Sequence, residues 1–126
     1  LIWITEMNIQ KIDIIGLDGG RLDHCIGNFH ILFDFFDNLD ITVYTKEGTL
    51  YTINQERVFK GCLHKDVSIF ANDTNTSIYS KGLKYELYNY TIDNFYSATL
   101  NVAIKNTIKI KSNKSNLLIF ISNSNG

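Results

Sequence analysis

Apolar and polar positions change their period once along this chain, near residue 38. Before that point the spacing is helical. The opening Leu1-Ile2-Trp3-Ile4-Thr5-Glu6-Met7-Asn8-Ile9 reads as the last turns of a helix with Ile4 and Met7 toward a sheet. A helix that short is marginal alone, so it is expected to continue something upstream. Lys11 to Ile15 reads as a short buried strand. A second helix is expected from about Leu22 to Phe36. Its stripe is Leu22, Cys25, Ile26, Phe29, Leu32, Phe33 and Phe36, with Ile31 and Phe35 outside it, so more than one side should be covered.

After Asp37-Asn38 the period becomes 2 and stays there. Asp40 to Thr45 and Thr49 to Asn54 form a predicted hairpin around Lys46-Glu47-Gly48. Glu56 to Lys60, Val67 to Ala71, Ser77 to Ser80 and Lys84 to Tyr90 are further expected strands. Thr107 to Lys111 alternates, with isoleucines inward and lysines outward, and Leu117 to Ile121 is apolar enough to be covered on both faces. The expected class is therefore mixed α and β. The end of an α/β domain, one strand and helices over residues 1–38, precedes an antiparallel β-sandwich over 39–126.

Composition narrows the function classes. The chain has 126 residues, enough for one buried core, and 44% of them are hydrophobic, which argues against general disorder. A net charge of −1 gives no field to attract nucleic acid or an anionic membrane. No apolar run approaches the roughly 20 residues of a membrane span. Two cysteines, Cys25 and Cys62, fit a reducing cytoplasm better than a disulfide framework.

The chemistry concentrates in Gly16-Leu17-Asp18-Gly19-Gly20-Arg21-Leu22-Asp23-His24, closed by Asn28. Gly16, Gly19 and Gly20 permit positive φ and close approach of a ligand to the backbone. The helix predicted to follow would point unpaired N–H groups into the junction, a setting that favours anions. Arg21 adds a fork of donors suited to phosphate or carboxylate. Asp23 has three readings: helix cap, magnesium ligand or proton acceptor. On spacing alone a plain Gly-rich turn, with Asp23 as cap and Arg21 solvated, stands beside the functional reading.

Gly-x-x-Gly-Gly-Arg-Leu-Asp-His-x-x-x-Asn resembles the signature segment of thiamine pyrophosphokinases. Lys81-Gly82-Leu83-Lys84-Tyr85-Glu86-Leu87 resembles that family's Gly-Leu-Lys-Tyr/Trp-x-Leu element, and Ser97-Ala98-Thr99-Leu100-Asn101 is similar to a third, ending where the family has a Ser-Asn pair. The resemblance spans nearly the whole chain and fits the C-terminal part of the enzyme. It implies an α/β domain followed by a β-sandwich, and transfer of pyrophosphate from ATP to thiamine to give thiamine diphosphate and AMP. It implies Mg2+ as cofactor and a cytoplasmic homodimer with the thiamine site at the subunit interface.

Residue by residue, the resemblance puts Arg21 on the transferring phosphates and Asp23 on magnesium, the thiamine hydroxyl or both. Gly19 and Gly20 let the backbone approach the ligand, and His24 and Asn28 line the site. Tyr85 lies against the vitamin and Asn101 is the pocket asparagine. Leu100 stands where serine is usual, and Ala71 where a proline usually closes the apolar strand. Tyr85 also reads as a strand tyrosine packed in the sandwich, Asn28 as a loop hydrogen-bonder and His24 as a partly exposed polar residue. On this resemblance the chain alone is expected to be inactive, because the family's upstream aspartates are not in it. A non-catalytic β-sandwich that binds a small molecule is the alternative function. Lys105, Lys109, Lys111 and Lys114 read as a solvated sheet face, and Cys62, His64 and Asp66 match no closed zinc spacing.

Overall fold

A computed structural model describes residues 11–15, 40–71, 75–92 and 98–125. Eight strands are built from them: β1 (Lys11–Ile15), β2 (Asp40–Tyr44), β3 (Gly48–Phe59), β4 (Lys65–Phe70), β5 (Ser77–Lys81), β6 (Tyr90–Thr91), β7 (Ala98–Val102) and β8 (Ile108–Asn125). All belong to one sheet, in the order β1-β2-β3-β8-β4-β7, with β5 on β8 and β6 on β5. Every pairing is antiparallel except β1 with β2, which runs parallel from Lys11↔Asp40 to Ile15↔Tyr44.

This corrects the expected fold class. Among the described residues there is no helix, and the architecture is one curled sheet, a half-barrel, in place of a mixed α/β fold. The physical reason is the length of β3 and β8. The pattern breaks each of them in two, but backbone pairing between them resumes on the far side of the polar interruption. Between the Asn54↔Asn116 and Glu56↔Lys111 pairs, one residue of β3 faces four of β8, and Gln55 takes a left-handed φ of 76°. The sheet bends there instead of ending. Tyr51 and Phe59 measure the bend. Eight residues of straight strand would separate them by roughly 26 Å, yet their ring centroids are 5.0 Å apart. The Arg57 guanidinium lies over both rings, at 4.8 and 5.1 Å. The helix expected over 22–36, the opening segment and the Gly-rich junction lie outside the described residues.

The core fills the concave side. Ile53, Val67, Ile69, Ile78, Leu83, Ile108, Ile110, Leu117 and Ile119 are packed together there. Along the first half of β8 the alternation holds as expected, with Ile108 and Ile110 fully buried and Lys109 and Lys111 outside. Farther along, Leu117, Leu118 and Ile119 are all buried, so that stretch is covered on both faces, also as expected. The second face is continued by Ile41, Val43, Leu50 and Thr52. Thr52 Oγ1 accepts from Ile41 N–H at 2.9 Å and donates to Ile41 C=O at 3.3 Å, so a buried hydroxyl replaces a ladder rung.

Candidate functional site

One end of the curled sheet gathers the two described residues that the sequence singles out. Tyr85 follows the Gly82 turn after β5, and Asn101 lies on β7. The route that brings them together begins with a bulge. β4 and β7 pair Val67 with Asn101 and Ile69 with Ala98, so β7 carries one residue more than β4 over that interval. Leu100 absorbs the extra residue in a left-handed conformation, φ 62°, unusual for a large side chain. Its N–H donates to Ser68 Oγ at 3.2 Å in place of a ladder partner. The bulge sends the Leu100 side chain outward, 84% exposed, and turns Asn101 inward.

The buried Asn101 carboxamide then clasps Tyr85 by its backbone. Its Oδ1 accepts from Tyr85 N–H at 3.1 Å and from Val102 N–H at 2.9 Å, and its Nδ2 donates to Tyr85 C=O at 2.7 Å. The amide is committed to the main chain, so Asn101 positions Tyr85. The loop is held from the other side as well, since Lys84 N–H donates to Val102 C=O at 2.7 Å and Leu83 bridges Ala103.

Glu86 fixes the turn itself. Its carboxylate accepts from Ser80 Oγ–H at 2.6 Å, Gly82 N–H at 2.9 Å and Leu83 N–H at 3.1 Å. Burial works to raise its pKa, but these three hydrogen bonds, with Lys105 nearby, outweigh it and hold the carboxyl below its ordinary value. Ser80 also exchanges two hydrogen bonds with Leu87, both 2.8 Å. Gly82 is required: its φ is 98°, and a Cβ there would lie 2.9 Å from both the Ile108 side chain and the Thr107 carbonyl. Lys84 to Tyr90 is thus a tied loop, with strand only at Tyr90–Thr91, where the alternation suggests one strand.

The result is a presented aromatic ring. Tyr85 is 59% exposed, not packed into the core. The Lys84 ammonium lies over its face, 5.3 Å from the centroid, so the ring already hosts a cation. Exposed Leu100 stands one residue from the clasp. Glu86, Ser80 and Ser68 carry this geometry. A carboxylate four residues past a glycine turn was the available signal for Glu86, whereas Ser68 depends on strand pairing that no local pattern reveals.

Arg21, Asp23, Gly19, Gly20, His24 and Asn28 lie outside the described residues. Among the described residues no group of three or more His, Cys, Asp or Glu could hold a metal ion. Cys62 and His64 form a turn in which Lys65 N–H donates to Cys62 C=O and His64 N–H to Ala103 C=O, both at 2.9 Å. Cys62 is a free, buried thiol whose pKa burial pushes up. No helix among the described residues is long and apolar enough to cross a membrane.

Similar folds recur in solved structures. Thiamine pyrophosphokinase from Bacillus subtilis matches with a TM-score of 0.79 at 23% identity, over 96% of this chain and 59% of that one. The enzyme from Geobacillus thermodenitrificans matches at 0.72 and 22% identity, over 98% and 59%. The enzyme from Candida albicans matches at 0.72 and 13% identity, over 89% and 44%. The chain thus spans less than two thirds of the length of these neighbours. No curated protein sequence matches it. A family model described as "Thiamin pyrophosphokinase, substrate-binding domain" matches residues 48–120, more than half of the chain and the whole span that builds the Tyr85 clasp. The chain therefore belongs to the thiamin pyrophosphokinase family and contains its substrate-binding domain.

Proposed function

We propose that this chain supplies the thiamine-binding part of an enzyme that moves the pyrophosphoryl group of ATP onto thiamine, giving thiamine diphosphate and AMP. The observation that carries this reading is the Tyr85 ring, exposed, fixed through its own backbone by Asn101 and already facing a cation. Thiamine is flat and cationic, so such a face complements it. Family membership and the fold of the neighbouring enzymes support the same reading.

In this proposal the hydroxyl oxygen of thiamine bonds to the β-phosphorus of ATP, the bond from that phosphorus to the α–β bridging oxygen breaks, AMP leaves with that oxygen, and the hydroxyl proton passes to solvent. Arg21 contacts the transferring phosphates, and Gly19 and Gly20 let the backbone approach them. His24 and Asn28 line the site. Asp23 orients the hydroxyl or would hold Mg2+, which would neutralise phosphate charge there. A homodimer with the site at its interface would cover the apolar groups around the clasp, Leu100, Ile104 and Tyr85, all at least half exposed. The cytoplasm belongs to the same reading, and the buried free thiol of Cys62 fits a reducing compartment.

Calorimetric titration with thiamine tests the reading. Saturable binding is expected, and Tyr85→Ala should weaken it about tenfold, as loss of a desolvated cation–π contact of roughly 1.4 kcal/mol would. No binding, or equal binding by Tyr85→Ala, would contradict it.

A further inference from the structure

The convex face beyond the clasp carries a second candidate site. Across β5 and β8 the register places Tyr79 opposite Lys111 and Lys81 opposite Lys109. Their partners in the alternation, Ile78 and Ile110, are fully buried, so these four side chains share the outer face. Together with Leu87 and Tyr88 they line a cleft of about 270 Å³. Neither Tyr85 nor Asn101 takes part in it.

Two features of the cleft bear on what it could hold. Three lysines meet in one small concavity of a chain whose net charge is −1. Glu56 answers part of that charge, through a 2.6 Å ion pair with Lys109 and a longer-range attraction to Lys111. The second feature is aromatic. Tyr79 and Tyr88 meet edge to face, with centroids 5.7 Å apart and planes at 87°, and Tyr88 is 87% exposed. Tyr79 is held by its hydroxyl, which donates to Asn89 Oδ1 at 3.1 Å. An edge-to-face pair leaves a ring face available for stacking. A solvated lysine face explains the charges but neither the concavity nor the exposed aromatic pair beside them.

We infer that this cleft binds a small planar phosphate ester, with its ring against Tyr88 and Leu87 and its phosphate among Lys81, Lys109 and Lys111. Three lysines converge on one small cleft, which suits a small anion better than a polymer needing an extended basic track. The inference is independent of the thiamine reading.

The test is an amide NMR titration of the full chain with AMP at low salt, beside adenosine alone and inorganic phosphate alone. AMP should shift amides of Tyr79 to Lys81, Tyr88 and Lys109 to Lys111 saturably. Tyr88→Ala should raise Kd about fivefold or more, the size of a lost stacking contact. Lys81→Gln with Lys111→Gln should raise it about tenfold, an effect that added salt reproduces in the unsubstituted chain. These side chains lie on the outer face, so the variants should keep the dispersion of the native spectrum. Three results would overturn the inference: AMP shifts confined to other residues, variants that bind AMP as well as the unsubstituted chain, or phosphate alone binding as tightly as AMP.

Discussion

Asn101→Ala removes all three hydrogen bonds of the clasp at once. Tyr85 N–H, Tyr85 C=O and Val102 N–H lose their partner, and the lost side chain was itself buried. A net value of about 1 kcal/mol per hydrogen bond gives roughly 3 kcal/mol, and access of water near exposed Tyr85 brings the expected loss to about 2–3 kcal/mol. Urea unfolding reads this as a lower midpoint at unchanged slope. Asn101→Asp keeps both acceptor contacts but sets a carboxylate oxygen against the Tyr85 carbonyl, where the amide donates at 2.7 Å. It should therefore also destabilise at neutral pH. Tyr85→Ala removes a mostly exposed ring and should cost less than about 1 kcal/mol, while still weakening thiamine binding. Asn101→Ala within about 0.5 kcal/mol of the unsubstituted chain would refute the claim that this amide holds the loop, because loss of a single buried hydrogen bond costs more.

Gly82→Ala should cost about 2–4 kcal/mol, from left-handed strain plus overpacking against Ile108 and Thr107; a midpoint that does not move would show the turn to be adaptable. The lowered pKa of Glu86 stabilises the fold above the unfolded-state value near 4.5, and that stability is lost as pH falls through the lower folded value. Glu86→Gln should therefore flatten the acid limb of the stability-versus-pH curve; an unchanged limb would assign it to other carboxylates. Measured on the monomer at high dilution, Leu100→Asn relieves a left-handed leucine and should gain about 0.5–1 kcal/mol in urea unfolding, whereas a loss there would mean that the Leu100 side chain packs within its own chain.

Much of the strand pattern was legible. β1, β2, β4 and β5 begin and end within two residues of the strands expected from the sequence. The errors have identifiable causes. Gln55 and the polar run from Ser112 to Asn116 interrupt the apolar alternation, so β3 and β8 read as two strands each, whereas backbone pairing does not depend on side-chain polarity. Lys84-Tyr85-Glu86-Leu87-Tyr88-Asn89-Tyr90 alternates well enough to imitate a strand, but the Glu86 carboxylate draws the chain back onto Gly82 and Leu83. β7 was legible only as a motif, because its bulge at Leu100 breaks the period. Tyr85 and Asn101 were both named by resemblance. That one would hold the other by its backbone required the β4–β7 register, which the sequence does not contain.

Amide NMR of the chain titrated with thiamine shows directly whether the vitamin sits on the Tyr85 clasp. Saturable shifts at Lys84, Tyr85, Asn101 and Val102, abolished by Asn101→Ala and weakened by Tyr85→Ala, are the expected result. Thiamine that binds while leaving those four amides unmoved would place the vitamin elsewhere and contradict the account.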